Sequence, residues 1–137
     1  MSEASTRQLI ERYFAALNAS DHEAMLSCLA EEIVHDTIDG GREIGKDKFR
    51  WTLGMQARHF RETVSDLVVM ATDNGGRAAA EFTLRGTYSA AREGFPAASG
   101  QSYTLLAGTF FEIDDDQISR VTEYRDLAGW KAQLAKS

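Results

Sequence analysis

The sequence predicts an α+β fold in which three N-terminal helices pack on a strongly curved, mixed or antiparallel sheet that encloses one pocket. Three observations predict it. Apolar residues recur at helical spacing as far as Phe60, strand-like runs take over from Thr63, and clusters of Asp, Asn and Gly punctuate those runs. Helices followed by long antiparallel strands put the helices on one face of the sheet. A bent sheet cannot fill its own concavity, and the leftover hollow is where a ligand would sit.

The first helix carries Leu9, Ile10, Tyr13, Phe14 and Leu17 on one stripe, opposite Arg7, Glu11 and Arg12. It stops at Asn18-Ala19-Ser20-Asp21. Ser20 and Glu23 have capping-box spacing and start a short second helix bearing Met25, Leu26 and Leu29. Ile33 to Ile38 reads as a strand, broken by Asp39-Gly40-Gly41. A third helix is expected from about Gly45 to Phe60, with Phe49, Leu53 and Phe60 on its stripe and Trp51 and Met55 beside it. Thr63–Ala71 and Arg77–Tyr88 form a hairpin through Asn74-Gly75, because the favoured turn needs positive φ at both central residues. A loop over 89–100 leads to a strand from Gln101 to Ile113, a turn at Asp114–Asp116 and a last strand, Ile118–Arg125. Leu127–Ala135 is expected to close as a helix around Trp130. No repeat or linker interrupts the chain, so residues 1–137 are expected to form one domain.

Composition narrows the function classes. A chain of 137 residues with 43% hydrophobic and 26% charged residues suits one globular core. A net charge of −6 repels a phosphate backbone, so nucleic acid is not an expected partner. No stretch approaches the ~18 apolar residues of a membrane span, and no membrane partner is expected. The lone cysteine, Cys28, allows no internal disulfide and reads as a small buried hydrophobe. Met1-Ser2-Glu3-Ala4-Ser5 lacks a signal peptide's layout, and the expected location is cytoplasmic. His22, His35 and His59 lack zinc-site spacing, Asp114–Asp116 lacks a calcium-loop pattern, and no glycine-rich phosphate loop follows a strand. Neither a metal nor a cofactor is expected.

The run from Arg12 to Asp21, an apolar helix, and then Val34-His35-Asp36 together resemble ketosteroid isomerases. With Gly40-Gly41-Arg42-Glu43-Ile44-Gly45 and Phe110-Phe111-Glu112-Ile113, the chain resembles the ketosteroid-isomerase-related, polyketide-cyclase-like branch of the nuclear transport factor 2 (NTF2) family, the SnoaL-like domains. The similarity spans roughly residues 8 to 132. It implies an NTF2-like cone and a homodimer. It leaves open the chemistry, since this fold hosts isomerases, cyclases, hydrolases and non-catalytic modules. In ketosteroid isomerases a tyrosine of the first helix donates to the substrate oxyanion and a strand aspartate shuttles the proton. Tyr13 matches that tyrosine, and Asp36 matches the aspartate with a spacer one residue shorter. A third, neutral acid on a late strand falls near Thr109, where no acid stands.

Asp36 shares a strand face with Val34 and Ile38, and an acid in apolar company tends toward a raised pKa suited to proton abstraction. The alternative is an aspartate capping the Gly40-Gly41 turn. His35 then lies on the opposite face with Ile33 and Thr37, at an interface or bonded to backbone, unless a bulge reverses the order. It stays a catalytic candidate. Tyr13 is either a phenol donor or plain core packing. Tyr103, Thr109 and Phe111 share one face of the long strand and read as pocket wall, with Tyr124, Trp51 and Met55 completing it or simply packing. Leu106 and Phe110 fall on the outer face, which wants cover. Two functions follow from these residues and the resemblance. One is a cofactor-independent isomerase or cyclase that abstracts a proton α to a carbonyl of a small or medium apolar molecule. The other is a non-catalytic ligand-binding or dimerisation module.

Overall fold

Chain order in the computed structural model, which describes residues 1–136, is helix, helix, strand pair, helix, then four long strands and a closing helix. The first helix, α1 (Glu3–Asn18), buries Leu9, Ile10, Tyr13 and Phe14 and is capped by Ser2, whose hydroxyl accepts from the Ser5 amide. The second, α2 (His22–Ser27), starts one residue later than expected. Asp21 is its N-cap, accepting from the Ala24 amide, while Ser20 sits at φ 55° and leads the chain into the cap. The Ser20–Glu23 capping box is therefore not the device used.

Strand β1 (Leu29–Asp36) begins earlier than the apolar run suggests and ends at Asp36, so Thr37 and Ile38 belong to a turn. A three-residue strand, β2 (Arg42–Ile44), follows; it is too short and too polar to show in the sequence pattern. Helix α3 (Lys46–His59) leads directly into β3 (Phe60–Ala71), and β4 (Arg77–Tyr88) returns through the Asn74-Gly75 turn. Gly75 has φ 74°, and a Cβ there would stand 2.4 Å from the Ser2 carbonyl oxygen. Thr6 of α1 donates to the Gly75 carbonyl at 2.7 Å, so glycine lets the hairpin tip dock on the first helix. Strands β5 (Ser102–Asp114) and β6 (Gln117–Arg125) and helix α4 (Leu127–Leu134) complete the chain.

The six strands form one sheet in the order β2-β1-β6-β5-β4-β3. All neighbours are antiparallel except β1 and β6, which run parallel, so the sheet is mixed. A register shift between Ser65 and Val68, with Asp66 at φ 54°, bends the long β3–β4 ribbon. The concave side carries the core. Phe14 packs on Phe82 and Phe111 with ring centroids 5.1 and 6.1 Å apart. A second aromatic group, Phe60, Tyr88, Tyr103 and Trp130, fills the end that α4 covers. On β5 the alternation is clean: Tyr103, Leu105, Thr109 and Phe111 are buried, whereas Leu106 and Phe110 are 76% and 50% exposed on the convex side. No helix among the described residues is long and apolar enough to cross a membrane.

Candidate active site

Between α1, α3, β1, β6 and the 89–100 loop lies a cavity of about 400 Å³. Its middle is apolar, with Leu17, Ile38, Leu53 and Met55 among the wall residues. Among its polar lining residues are Tyr13 from α1, His35 from β1 and Glu123 from β6.

His35 is 4% exposed and its ring packs on Phe49, with centroids 4.6 Å apart. Its Nε2 meets Glu123 Oε2 at 2.5 Å. Parallel pairing makes this possible. His35 is in register with Val121, which brings a strand position 88 residues away beside the imidazole. Burial by itself would lower the His35 pKa, but the hydrogen bond and charge of Glu123, with Glu43 and Asp36 behind it, raise it overall. Burial likewise opposes ionisation of Glu123, and His35 and then Arg125 outweigh it, so the carboxyl is lowered. Both shifts favour an ion pair, imidazolium to carboxylate. Glu123 lies deep in the protein, yet 32% of its side chain is accessible. Because it lines the cavity, that accessible surface is what a ligand would meet. His35 Nδ1 finds no hydrogen-bond partner among the described residues, with Glu43 Oε1 3.7 Å away. Glu43 itself accepts from the Thr52 hydroxyl at 2.7 Å.

Tyr13 is 4% exposed. Burial, then the negative charge of Glu123, pushes its phenol well above the ordinary value, so the hydroxyl keeps its proton and remains a donor. Behind Glu123, Arg125 bonds Glu62 at 2.7 and 3.2 Å and lies 4.6 Å from the Trp130 ring centre. Tyr103 donates to the same Glu62 at 2.5 Å.

The SnoaL-like domain model matches residues 10–121. The chain belongs to the SnoaL-like domain family. Two solved structures are similar over nearly their whole length. A proposed polyketide cyclase from Xanthomonas campestris pv. campestris is 42% identical, with 96% of this chain and 98% of that one covered and a TM-score of 0.94. Another proposed polyketide cyclase, from Pseudomonas putida KT2440, is 44% identical over 94% and 97%, with a TM-score of 0.92. A proposed ketosteroid isomerase from Kribbella flavida DSM 17836 is 22% identical, over 90% of this chain and 79% of that one, with a TM-score of 0.66; this likeness shows the NTF2-like fold alone. Comparison with curated proteins finds no match.

In this SnoaL-like domain the sequence-predicted residues divide. Tyr13, His35, Trp51 and Met55 line the cavity. Asp36 does not, which corrects the expectation that it faces the pocket. It lies on the convex side, bonded by Arg42 at 2.6 and 3.1 Å and by the Thr122 hydroxyl at 2.7 Å. Arg42 holds its carboxyl down at about 2, the reverse of the raised value expected among apolar neighbours. The physical reason is that β1 ends at Asp36, so Ile38, though apolar, is a turn residue and says nothing about the strand face of Asp36. Ile33, fully buried, marks the inner face, and His35 shares it.

Corrections at four further residues concern β5 and β6. Tyr103, Thr109 and Phe111 are buried core residues rather than cavity wall: Tyr103 binds Glu62, and Phe111 packs edge-on against Tyr13 with centroids 5.7 Å apart. Tyr124 is 59% exposed on the convex side, against Phe110. The acid absent from Thr109 stands directly across from it, since Thr109 and Glu123 are cross-strand partners. Sequence reasoning missed Glu123 and Arg125. The available signal was parity: both follow Val121 at two-residue steps on a face that should be apolar.

Proposed function

We propose that this SnoaL-like domain is a cofactor-independent enzyme of isomerase or cyclase type, acting on a carbonyl compound of small or medium size. Glu123 would take the proton α to the carbonyl: the C–H bond breaks, an O–H bond forms on the carboxyl, and the electron pair moves onto the carbonyl oxygen. Tyr13 would donate a hydrogen bond to that enolate oxygen. Returning the proton to another carbon isomerises the substrate. Attack of the enolate carbon on a second carbonyl closes a ring, and the alkoxide so formed takes the proton back from Glu123. No outside reagent is needed in either case. His35 acts as a positioning residue that fixes the carboxylate and balances its charge.

The observation that carries this reading is Glu123 itself, a deep carboxylate open to the cavity, tied to His35 at 2.5 Å, with a protonated phenol nearby. A carboxyl lowered by an imidazolium is a weak base, which suits a C–H acidified by two flanking carbonyls. The same lowering favours a second reading, a ligand-binding module without chemistry. Deuterium exchange separates the two. In D₂O the chain is expected to accelerate exchange at the α-carbon of a β-diketone or of 2-tetralone, followed by proton NMR. Glu123→Gln should cut that rate by roughly 10²–10⁴-fold. Exchange no faster with wild type than with Glu123→Gln leaves only the binding role.

Homodimerisation belongs to the same proposal. Leu106, Phe110, Tyr124, Val68 and Met70 are each about half exposed or more on strands β5, β6 and β3 of the sheet, and apolar residues gathered on an exposed face call for cover. A second copy is the proposed cover, and Phe110→Glu is expected to shift the chain to a monomer in sedimentation or size-exclusion measurements.

A further inference from the structure

Most charged groups lining the cavity are satisfied within the chain, and among the described residues Arg92 and Glu93 lack an ion-pair partner. His35 holds Glu123, Glu62 holds Arg125, Thr52 donates to Glu43, and the Thr37 hydroxyl donates to Asp39 at 2.5 Å. Arg92, on the 89–100 loop, also lines the cavity and is half-buried; among the described residues no carboxylate lies within salt-bridge distance of it, and its charge acts only from farther off on Asp39. Its Nη1 reaches only the neutral Gln56 Oε1, at 3.3 Å, and its guanidinium carbon lies 5.2 Å from the Phe95 ring centre. The adjacent Glu93 is exposed.

Arg92 is not a free surface side chain. Its backbone N–H donates to the Tyr88 hydroxyl at 2.8 Å, and that hydroxyl donates onward to the Pro96 carbonyl at 2.7 Å. The Ser89 amide donates to the His59 carbonyl at 2.7 Å, and His59 Nδ1–H donates to the Ala90 carbonyl at 2.9 Å. The loop is thereby pinned to the end of α3, and Arg92 is held among the residues that line the cavity.

We infer that Arg92 anchors a carboxylate on the outer end of the ligand, so that the cavity takes an apolar molecule with one anionic terminus. The inference rests on the reading of this cavity as the substrate site and adds the substrate class. A planar guanidinium presents two parallel N–H donors that match a carboxylate, and Gln56, held by its oxygen, has its amide N–H₂ free to donate beside them. A singly charged group fits better than a phosphate dianion, because Asp39 and Glu93 share the rim with Arg92 and the chain carries −6 overall. With its charged end at Arg92, the molecule would lay its apolar body along Met55, Leu53 and Ile38, with its inner end toward Glu123.

The test uses 1-naphthylacetate and its isosteric amide, 1-naphthylacetamide, titrated against the full chain with fluorescence quenching of Trp51 on the cavity wall as readout. Wild type is expected to prefer the acid by roughly five- to tenfold. Arg92→Gln should lose that preference while keeping its affinity for the amide, which serves as its folding control. Arg92→Lys should keep part of it, having the charge without the fork. Glu123→Gln should keep the preference or raise it, since it removes an anion from the same cavity, so failure of the proton-transfer role and failure of the anchor are told apart. Wild type that binds both compounds alike or binds neither, Arg92→Gln that retains the preference, or Arg92→Gln that loses both ligands equally would each overturn the assignment.

Discussion

Replacing His35 by leucine strips the counter-charge from Glu123 while keeping a side chain of similar bulk against Phe49. Breaking a buried ion pair from one side costs about 3–5 kcal/mol, because the remaining charge is left uncompensated. Here the lower end applies, about 3 kcal/mol, since Glu123 is partly open to the cavity and Arg125 still attracts it. That is a large part of a domain's typical stability of roughly 5–15 kcal/mol. The pH dependence identifies the cause. His35 is raised from 6.5, so its share of the stability is fully present below that pH and is lost as pH rises through the folded value. Glu123 is lowered from 4.5, so its share is present above that pH and is lost as pH falls through the folded value. The deficit of His35→Leu should therefore be greatest between about pH 4.5 and 6.5 and should shrink on both flanks. Urea denaturation of both proteins at a series of pH values measures it. His35→Leu/Glu123→Gln should recover most of the loss, because removing both charges leaves none unpaired. A deficit that stays flat across the pH series, or a double variant no better than the single, would refute the ion pair and reduce His35 to packing.

Other expectations follow from the same geometry. Tyr13→Phe should lower the α-exchange rate on the order of 10²-fold and leave stability nearly unchanged, because among the described residues its hydroxyl has no hydrogen-bond partner that supports the fold; equal exchange rates would remove the phenol from the mechanism. Asp36→Asn should leave exchange untouched, as Asp36 faces away from the cavity. Its folded pKa of about 2 lies below the ordinary 3.8, so wild type holds this stabilisation above pH 3.8 and loses it as pH falls toward 2. Acid titrations of stability should show that loss in wild type and not in the variant. Gly86→Ala places a Cβ 2.2 Å from Tyr103 Cζ and must move the ring off Glu62. Overpacking of this kind costs about 1–3 kcal/mol in denaturation, and Gly86→Ala/Tyr103→Ala should be less sensitive to the added methyl.

How much of this was legible beforehand differs from element to element. The stripe Leu9, Ile10, Tyr13, Phe14 names its own buried face, because a helix repeats locally and each residue's neighbours lie three and four positions away. The hairpin at Asn74-Gly75 is equally local, although only Gly75 takes the positive φ expected of both residues, and so is the alternation that sends Tyr103 and Phe111 inward and Leu106 and Phe110 outward. The family resemblance, carried by short runs along most of the chain, pointed to the same α+β cone. What a single strand does not reveal is which of its two faces looks inward when both carry polar residues. On β1 the choice lay between Asp36 and His35, and it turned on where the strand ends and on what it lies beside.

The amino-acid sequence alone determined the helices and the long hairpins. Each follows from periodicities and turn residues that act over a few positions. Tertiary structure decided the chemistry of the cavity. Parallel pairing of the first and last strands carries Glu123 to His35 across 88 residues, and a pinned loop brings Arg92 to the rim. Strand parity could mark Glu123 as inward-facing, but nothing local names its partner, and the pKa values of such groups come from partners that only folding supplies.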